Sequence, residues 1–208
     1  MAMVFNHDLP RLGYKKGAFV RYPVLNALRS NRKMGGDERK NFVKARKEGE
    51  EEFKKVIKVD EGDRFTIRIY FHNNADPSLG EEGIAYDTRI HFTSGVFCCF
   101  EDEWVDYLEK SEGDCVGFMG YIEWLNSDPK RVQDFCVIDK PDYRAYNYIK
   151  GSARITTRYG TQPFPDYGGL IGIDRLDGVI PPGEFGYVDL DYVVRKIENS
   201  LNEKLILD

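Results

Sequence analysis

Apolar side chains recur at every second position in four separate runs, and this period restricts what the chain can become. In residues 64–72, Phe65, Ile67, Ile69 and Phe71 fall on one side and Thr66, Arg68, Tyr70 and His72 on the other. Residues 84–92 repeat the pattern with Ile84, Tyr86, Thr88, Ile90 and Phe92 on one face. Val116, Phe118, Gly120, Ile122 and Trp124 form a third run, and Val188, Leu190, Tyr192 and Val194 a fourth. A strand turns successive side chains to opposite faces, so each run offers one face to a core and one to water. Half-buried strands of this kind belong to antiparallel sheets, and many of them together predict a mostly-β sandwich.

Shorter strand candidates lie at residues 19–24, 42–46, 53–59, 132–138, 143–149, 153–159 and 170–173. Turn clusters separate them, among them Asp60-Glu61-Gly62-Asp63, Asn126-Ser127-Asp128-Pro129 and Pro181-Pro182-Gly183. Asn and Asp bond backbone groups in turns, Pro presets φ and Gly permits positive φ. Two stretches leave the β pattern. Trp104, Tyr107 and Leu108 sit at helical spacing behind acids that suit a helix N-terminus, which predicts a helical insertion over residues 98–113. Val194, Ile197, Leu201 and Leu205 predict an amphipathic helix at the end. The expected organisation is an N-terminal arm (1–18), a sandwich domain (19–194) and a C-terminal extension (195–208).

With 208 residues the chain can bury about 70% of its unfolded surface, so no disulfide or metal is needed to hold it. No run of about 18 apolar residues is present, which predicts no membrane span. The first ten residues lack a basic segment followed by an apolar one, so no secretory signal is expected. The net charge of −5 disfavours a dedicated nucleic-acid binder. Residues 29–58 carry eleven Lys/Arg against six Asp/Glu, net +5, which leaves −10 on the remainder. Such a division favours head-to-tail contact between copies, or else it is a solvated lysine-rich face. Cys98 and Cys99 are adjacent and Cys115 and Cys136 lie in apolar runs, the usage of unbridged thiols in a reducing compartment.

Four segments carry a resemblance: VRYPVLNALRSNRKMGGDERKNFVKARKEG, IRIYFHNNADPSLGEEGIAYDTRI, YIKGSARI and LIGIDRLDGVIPPGEFGYV. Over residues 20–194 the chain resembles an uncharacterised Ig-like β-sandwich domain of actinobacterial and candidate-phylum cell-surface proteins. The resemblance implies the fold and brings no activity. Members of that group usually carry a signal peptide and often an anchor. Lacking both, this chain is expected to be made in the cytoplasm and to enter a virion or another assembly.

Gly36-Asp37-Glu38-Arg39 reads either as a ligand site or as an internal constellation in which Arg39 forks onto a carboxylate elsewhere. His72-Asn73-Asn74-Ala75-Asp76 fails as an EF-hand loop starting at Asn74. Leu79 stands where glycine is required and Ala85 where a bidentate Glu is required. An irregular calcium site could draw on Asn74, Asp76, Glu81 and Asp174; the alternative is an Asx-turn network. His7, His72 and His91 are too scattered for zinc. No nucleophile elbow, phosphate loop or paired-histidine zinc motif is present, so no cofactor and no catalytic residue is expected. The glycines of residues 168–172 suit a close backbone approach within a sheet.

Tyr143, Tyr146 and Tyr148 suit sugar stacking or a protein interface. Phe5, Leu9, Leu12 and Tyr14 in the arm and Ile197, Leu201 and Leu205 in the extension are the expected interaction residues. The reading is therefore a non-enzymatic interaction sandwich within a larger assembly, binding a protein partner or further copies of itself. A carbohydrate-binding module and a hydrolase with a site built from distant loops are the alternatives.

Overall fold

The long alternating runs become the long strands. The computed structural model describes residues 20–28, 30–95, 115–127, 130–139 and 146–195. Among them lie β1 (Val43–Lys47), β2 (Val56–Lys58), β3 (Arg64–His72), β4 (Arg89–Gly95), β5 (Cys115–Glu123) and β6 (Arg131–Asp139). β7 (Tyr146–Tyr148), β8 (Arg154–Thr157), β9 (Gly160–Pro163), β10 (Gly169–Leu170) and β11 (Phe185–Val194) follow. The first sheet runs β1-β3-β11-β8-β9, with β7 also on β11; the second runs β10-β4-β5-β6-β2. All pairs are antiparallel except β2 with β6. The architecture is a mostly-β sandwich, as the periodicity predicts.

Phe65, Ile67, Ile69 and Val188 of the first sheet face Ile90, Phe118 and Ile122 of the second, and all seven are buried. Gly120 lies where the sheets come closest. A Cβ there would sit 2.9 Å from Val43 Cγ2 and 3.0 Å from Ile69 Cδ1, so only hydrogen fits without displacing a neighbour. Gly168 has φ +91° and a backbone pressed against Ile90, the close approach expected of that glycine run.

The chain crosses from the first sheet to the second between β1 and β2, and a buried pair ties this edge. Lys55 Nζ meets Asp134 Oδ1 at 2.6 Å and also donates to the carbonyls of Val43 (3.1 Å) and Phe135. Asp134 Oδ2 accepts the Val43 N–H at 2.8 Å. One carboxyl thus joins β6, β1 and the crossover.

Several expectations change. The strand expected over residues 84–92 begins only at Arg89. Asp87 has φ 50° and breaks the pleat, so Tyr86 is exposed while Thr88 is buried. Residues 20–24 form no strand; Val20 makes a single bridge to Ala75. Tyr146 and Tyr148 form no exposed platform. They pack edge-on into an interior aromatic group with Phe65, Phe118 and Tyr192. The arm with Phe5, Leu9, Leu12 and Tyr14, the insertion at 98–113, Tyr143, and Ile197, Leu201 and Leu205 lie outside the described residues. Among the described residues no helix is long and apolar enough to cross a membrane.

Candidate functional site

The two polar motifs converge at the end of β3. Residues 20–28 and 30–41 fold as loops and short 3-10 turns laid across this end, and the buried backbone groups among them need partners. Asn26 takes φ 50°, which Asn tolerates, and its N–H donates to the His72 carbonyl at 2.9 Å. Its Nδ2 donates to the Tyr70 carbonyl at 2.9 Å. Ala27 N–H donates to Asn74 Oδ1 at 2.6 Å, and Asn74 N–H returns a bond to Val24. Asn73 works on the other side: its Nδ2 donates to the carbonyls of Gly83 and Ile180, both at 2.8 Å, and its Oδ1 accepts the Ala75 N–H.

Glu38 lies at the centre of this end, with no exposed surface. Its carboxylate accepts from Leu28 N–H (3.2 Å), Asn31 Nδ2 (2.7 Å) and Asn74 Nδ2 (3.2 Å), and it lies 2.9 Å from His72 Nδ1. A buried carboxylate is tolerated only with such a set of donors. The neighbouring Tyr70 hydroxyl is pushed well above its ordinary range, first by burial and then by the Glu38 charge. The cluster therefore binds its own loops, with Asn26 Oδ1 the buried atom in it that has no hydrogen-bond partner.

The two flanking acids are spent on turns. Asp37 caps the turn Glu38–Lys40 by accepting the Arg39 N–H, and the Arg39 guanidinium forks back onto the same Asp37 at 3.0 and 2.7 Å. The fork expected to reach a distant carboxylate thus closes locally, because a turn brings residues two apart within reach. Asp76 caps Pro77–Gly83 through the Ser78 N–H. Glu81 and Asp174 are exposed, and the four calcium candidates Asn74, Asp76, Glu81 and Asp174 are not gathered: among the described residues no three His, Cys, Asp or Glu side chains form a metal-binding group.

The outer face of the first sheet carries a second cluster, unseen in the sequence. Arg68 forks onto Asp189 with two bonds of 2.8 Å, and its guanidinium lies between the rings of Phe53 (4.0 Å) and Tyr187 (3.6 Å). Arg154 bonds Asp191 at 2.8 Å, and Thr66 bonds the same carboxylate at 2.7 Å. Part of the positive stretch of residues 29–58 is paired within the chain, Lys47 with Asp63, Lys54 with Glu50 and Lys58 with Asp139.

No family model matches the chain, and no curated protein or solved structure does.

Tyr86, Leu125, Tyr159, Tyr167 and Phe185 are the exposed large apolar side chains among the described residues, and Tyr159 and Phe185 border one corner beside the Glu38 end. Arg158 and Tyr159 form the β8–β9 turn, and Arg158 Nη1 bonds Glu184 at 2.8 Å, next to Phe185 at the start of β11. Tyr159 is 64% exposed and Phe185 47%. His72 and Tyr70 back Phe185, each with ring centroids 6.1 Å away.

Proposed function

We propose that the chain is a non-catalytic β-sandwich acting by protein–protein contact, as a repeating subunit of a larger assembly. The observation that carries this reading is the Arg158, Tyr159 and Phe185 corner. Tyr and Arg are the residue types that dominate interface energetics, and here they stand beside an exposed Phe that Tyr70 and His72 back. The polar residues that sequence motifs nominate for chemistry hold loops in place instead. The resemblance to Ig-like surface domains points the same way, and the partner in this reading is a second copy.

Sedimentation velocity of the full chain over a wide concentration range tests it. Concentration-dependent association is expected, and a Tyr159→Ser/Phe185→Ser double variant should shift it strongly toward monomer. A wild-type chain that stays monomeric throughout overturns the reading. Association that persists in the double variant but vanishes in high salt overturns the corner as its seat and moves it to residues 29–58, because salt screens exposed charges.

A further inference from the structure

We infer that two copies meet through the Glu38 end in a two-fold contact, the Arg158, Tyr159 and Phe185 corner of each seated on Tyr86 and Leu125 of the other. The inference rests on the self-association proposed for the corner and names the surface that the corner meets. Of the five exposed large apolar side chains among the described residues, four stand at this end. Phe185 lies opposite His72 in the register, and Tyr159 follows Arg158, which holds Glu184. Asn73 links the same strand end to the second sheet. Its Nδ2 donates to the Ile180 carbonyl, and Ile180 exchanges two 3.0 Å backbone bonds with Ala85. Next along the chain is Tyr86, whose carbonyl accepts the Leu125 N–H at 3.1 Å. Asn126 fixes this pair: it accepts the Tyr86 N–H at 3.0 Å and donates to the Ile84 carbonyl at 2.7 Å. Ser127 Oγ then donates to the Pro23 carbonyl, in the loops laid over the end. Tyr86 and Leu125 are thus held in place while 43% and 62% exposed.

Area requires more than the corner. A stable interface buries about 800 Å² on each partner. The exposed parts of two aromatic residues such as Tyr159 and Phe185 offer on the order of 200 Å². A corner meeting only a corner is therefore too small. Adding Tyr86, Leu125 and the loops between them brings in the whole end, and a two-fold axis repeats each contact once in reverse.

Charge selects the same end of a second copy. The exposed arginine of each patch is matched within its own chain, Arg158 by Glu184 at 2.8 Å and Arg89 by Asp87 at 2.9 Å. Arg21 and Arg32 offset Glu81 and Glu82, all four exposed on the loops and turn at this end. Like ends therefore meet without strong repulsion. The other end of β3 differs. Glu51, Glu52, Asp60 and Glu61 are exposed around it, where the Glu48 N–H bonds the Arg64 carbonyl. Seating Tyr159 and Phe185 there would strip water from carboxylates, which is costly. A same-end contact keeps the two acidic ends apart.

Sedimentation velocity of the full chain and of two double variants tests this. Tyr159→Ser/Phe185→Ser and Tyr86→Ser/Leu125→Ser change exposed side chains and should keep the wild-type urea midpoint. Wild type should stop at two copies. In a two-fold contact each change is felt at both seats, so each variant alone should dimerise about tenfold more weakly than wild type, or worse. Mixed in equal amounts, the two should form a 1:1 heterodimer tighter than either homodimer, because one seat is then intact. The single change Leu125→Lys should weaken the dimer in the same way. If Tyr86→Ser/Leu125→Ser and Leu125→Lys both dimerise like wild type, the inference is overturned while the corner reading stands. A mixture no tighter than the homodimers overturns it too, as a corner-to-corner contact requires. Growth of the wild type beyond two copies overturns the two-fold closure. A wild type that stays monomeric overturns the corner reading and this inference together.

Discussion

Replacing Asn73 with Asp exchanges only the amide for a carboxylate and should cost more than removing the side chain altogether. Asn73 is fully buried, and its Nδ2 points at two carbonyl oxygens, of Gly83 and Ile180. In Asn73→Ala, the Gly83 carbonyl loses this donor and the Ala75 N–H loses its acceptor. The Ile180 carbonyl retains the Ala85 N–H at 3.0 Å. Two orphaned buried groups at about 1–3 kcal/mol each give a loss of about 2–6 kcal/mol. Asn73→Asp keeps the Ala75 acceptor but sets a carboxylate oxygen against two carbonyls, and buries a charge without a partner. Its cost at neutral pH should exceed that of Ala, against a total stability of about 5–15 kcal/mol for a folded domain.

Urea unfolding reads the difference directly. With a slope of about 2–3 kcal/mol per molar for this size, the Ala variant should lose about 1–3 M in midpoint and the Asp variant more. Lowering the pH adds a second readout. Once protonated, the introduced carboxyl regains one O–H donor, and a buried acid takes up its proton readily. The gap between Asn73→Asp and wild type should narrow as pH falls. If Asn73→Asp unfolds with wild type at neutral pH, or above Asn73→Ala, the hub role assigned to the Asn73 amide is wrong.

Three further outcomes follow from the same packing. Ile67→Ala, deep between the sheets, should lower stability by about 2–5 kcal/mol in urea titration, and a loss within error of zero would contradict the core assignment. At high pH, Cys136 holds its proton to about 12 against an ordinary 9.0, and Tyr70 and Tyr192 are held above an ordinary 10.0, all three mainly by burial. The native state therefore keeps protons that the unfolded chain releases, so stability should fall as pH rises above 9. A urea midpoint that is flat between about pH 7 and about pH 10.5 would refute this. Melting temperatures in excess calcium and in excess EDTA should coincide, since the Asx residues nominated as ligands cap turns and hold loops; a transition several degrees higher in calcium would reinstate a site.

The sandwich was legible because burial in a sheet writes itself into every second residue. β3 matches its run, β5 and β6 differ from expectation by about one residue at their ends, and β11 begins about three residues before its run. Legibility fails where the backbone leaves the pleat. Nothing in the alternation of Ile84, Tyr86 and Thr88 announces the positive φ of Asp87. β9, with its Gly-Thr-Gln-Pro sequence, has no apolar face to announce it at all; it exists as the return limb of the β8 hairpin. The tyrosines misled for a related reason. A Tyr alternating with polar neighbours can point either way, and Tyr146 and Tyr148 take the interior because Phe65, Phe118 and Tyr192 leave aromatic space there.

The polar clusters show a sharper division. The motifs at residues 36–39 and 72–76 were visible as unusual local composition, but their meeting at Glu38 depends on how a loop lies across a strand end, which local sequence does not encode. Asp134 is different, because it did carry a signal. In β6 the inward positions read Val132, Asp134, Cys136 and Ile138, so a carboxylate stands where the period demands a hydrocarbon. Burial raises the pKa of such a group, and only a close donor set offsets the cost. An acid in phase with the core face therefore requires a partner from outside its own strand. Lys55, entering from the crossover, meets that requirement. The outward Asp189 of β11 and Arg68 of β3 are fixed by register alone, which places them directly opposite one another.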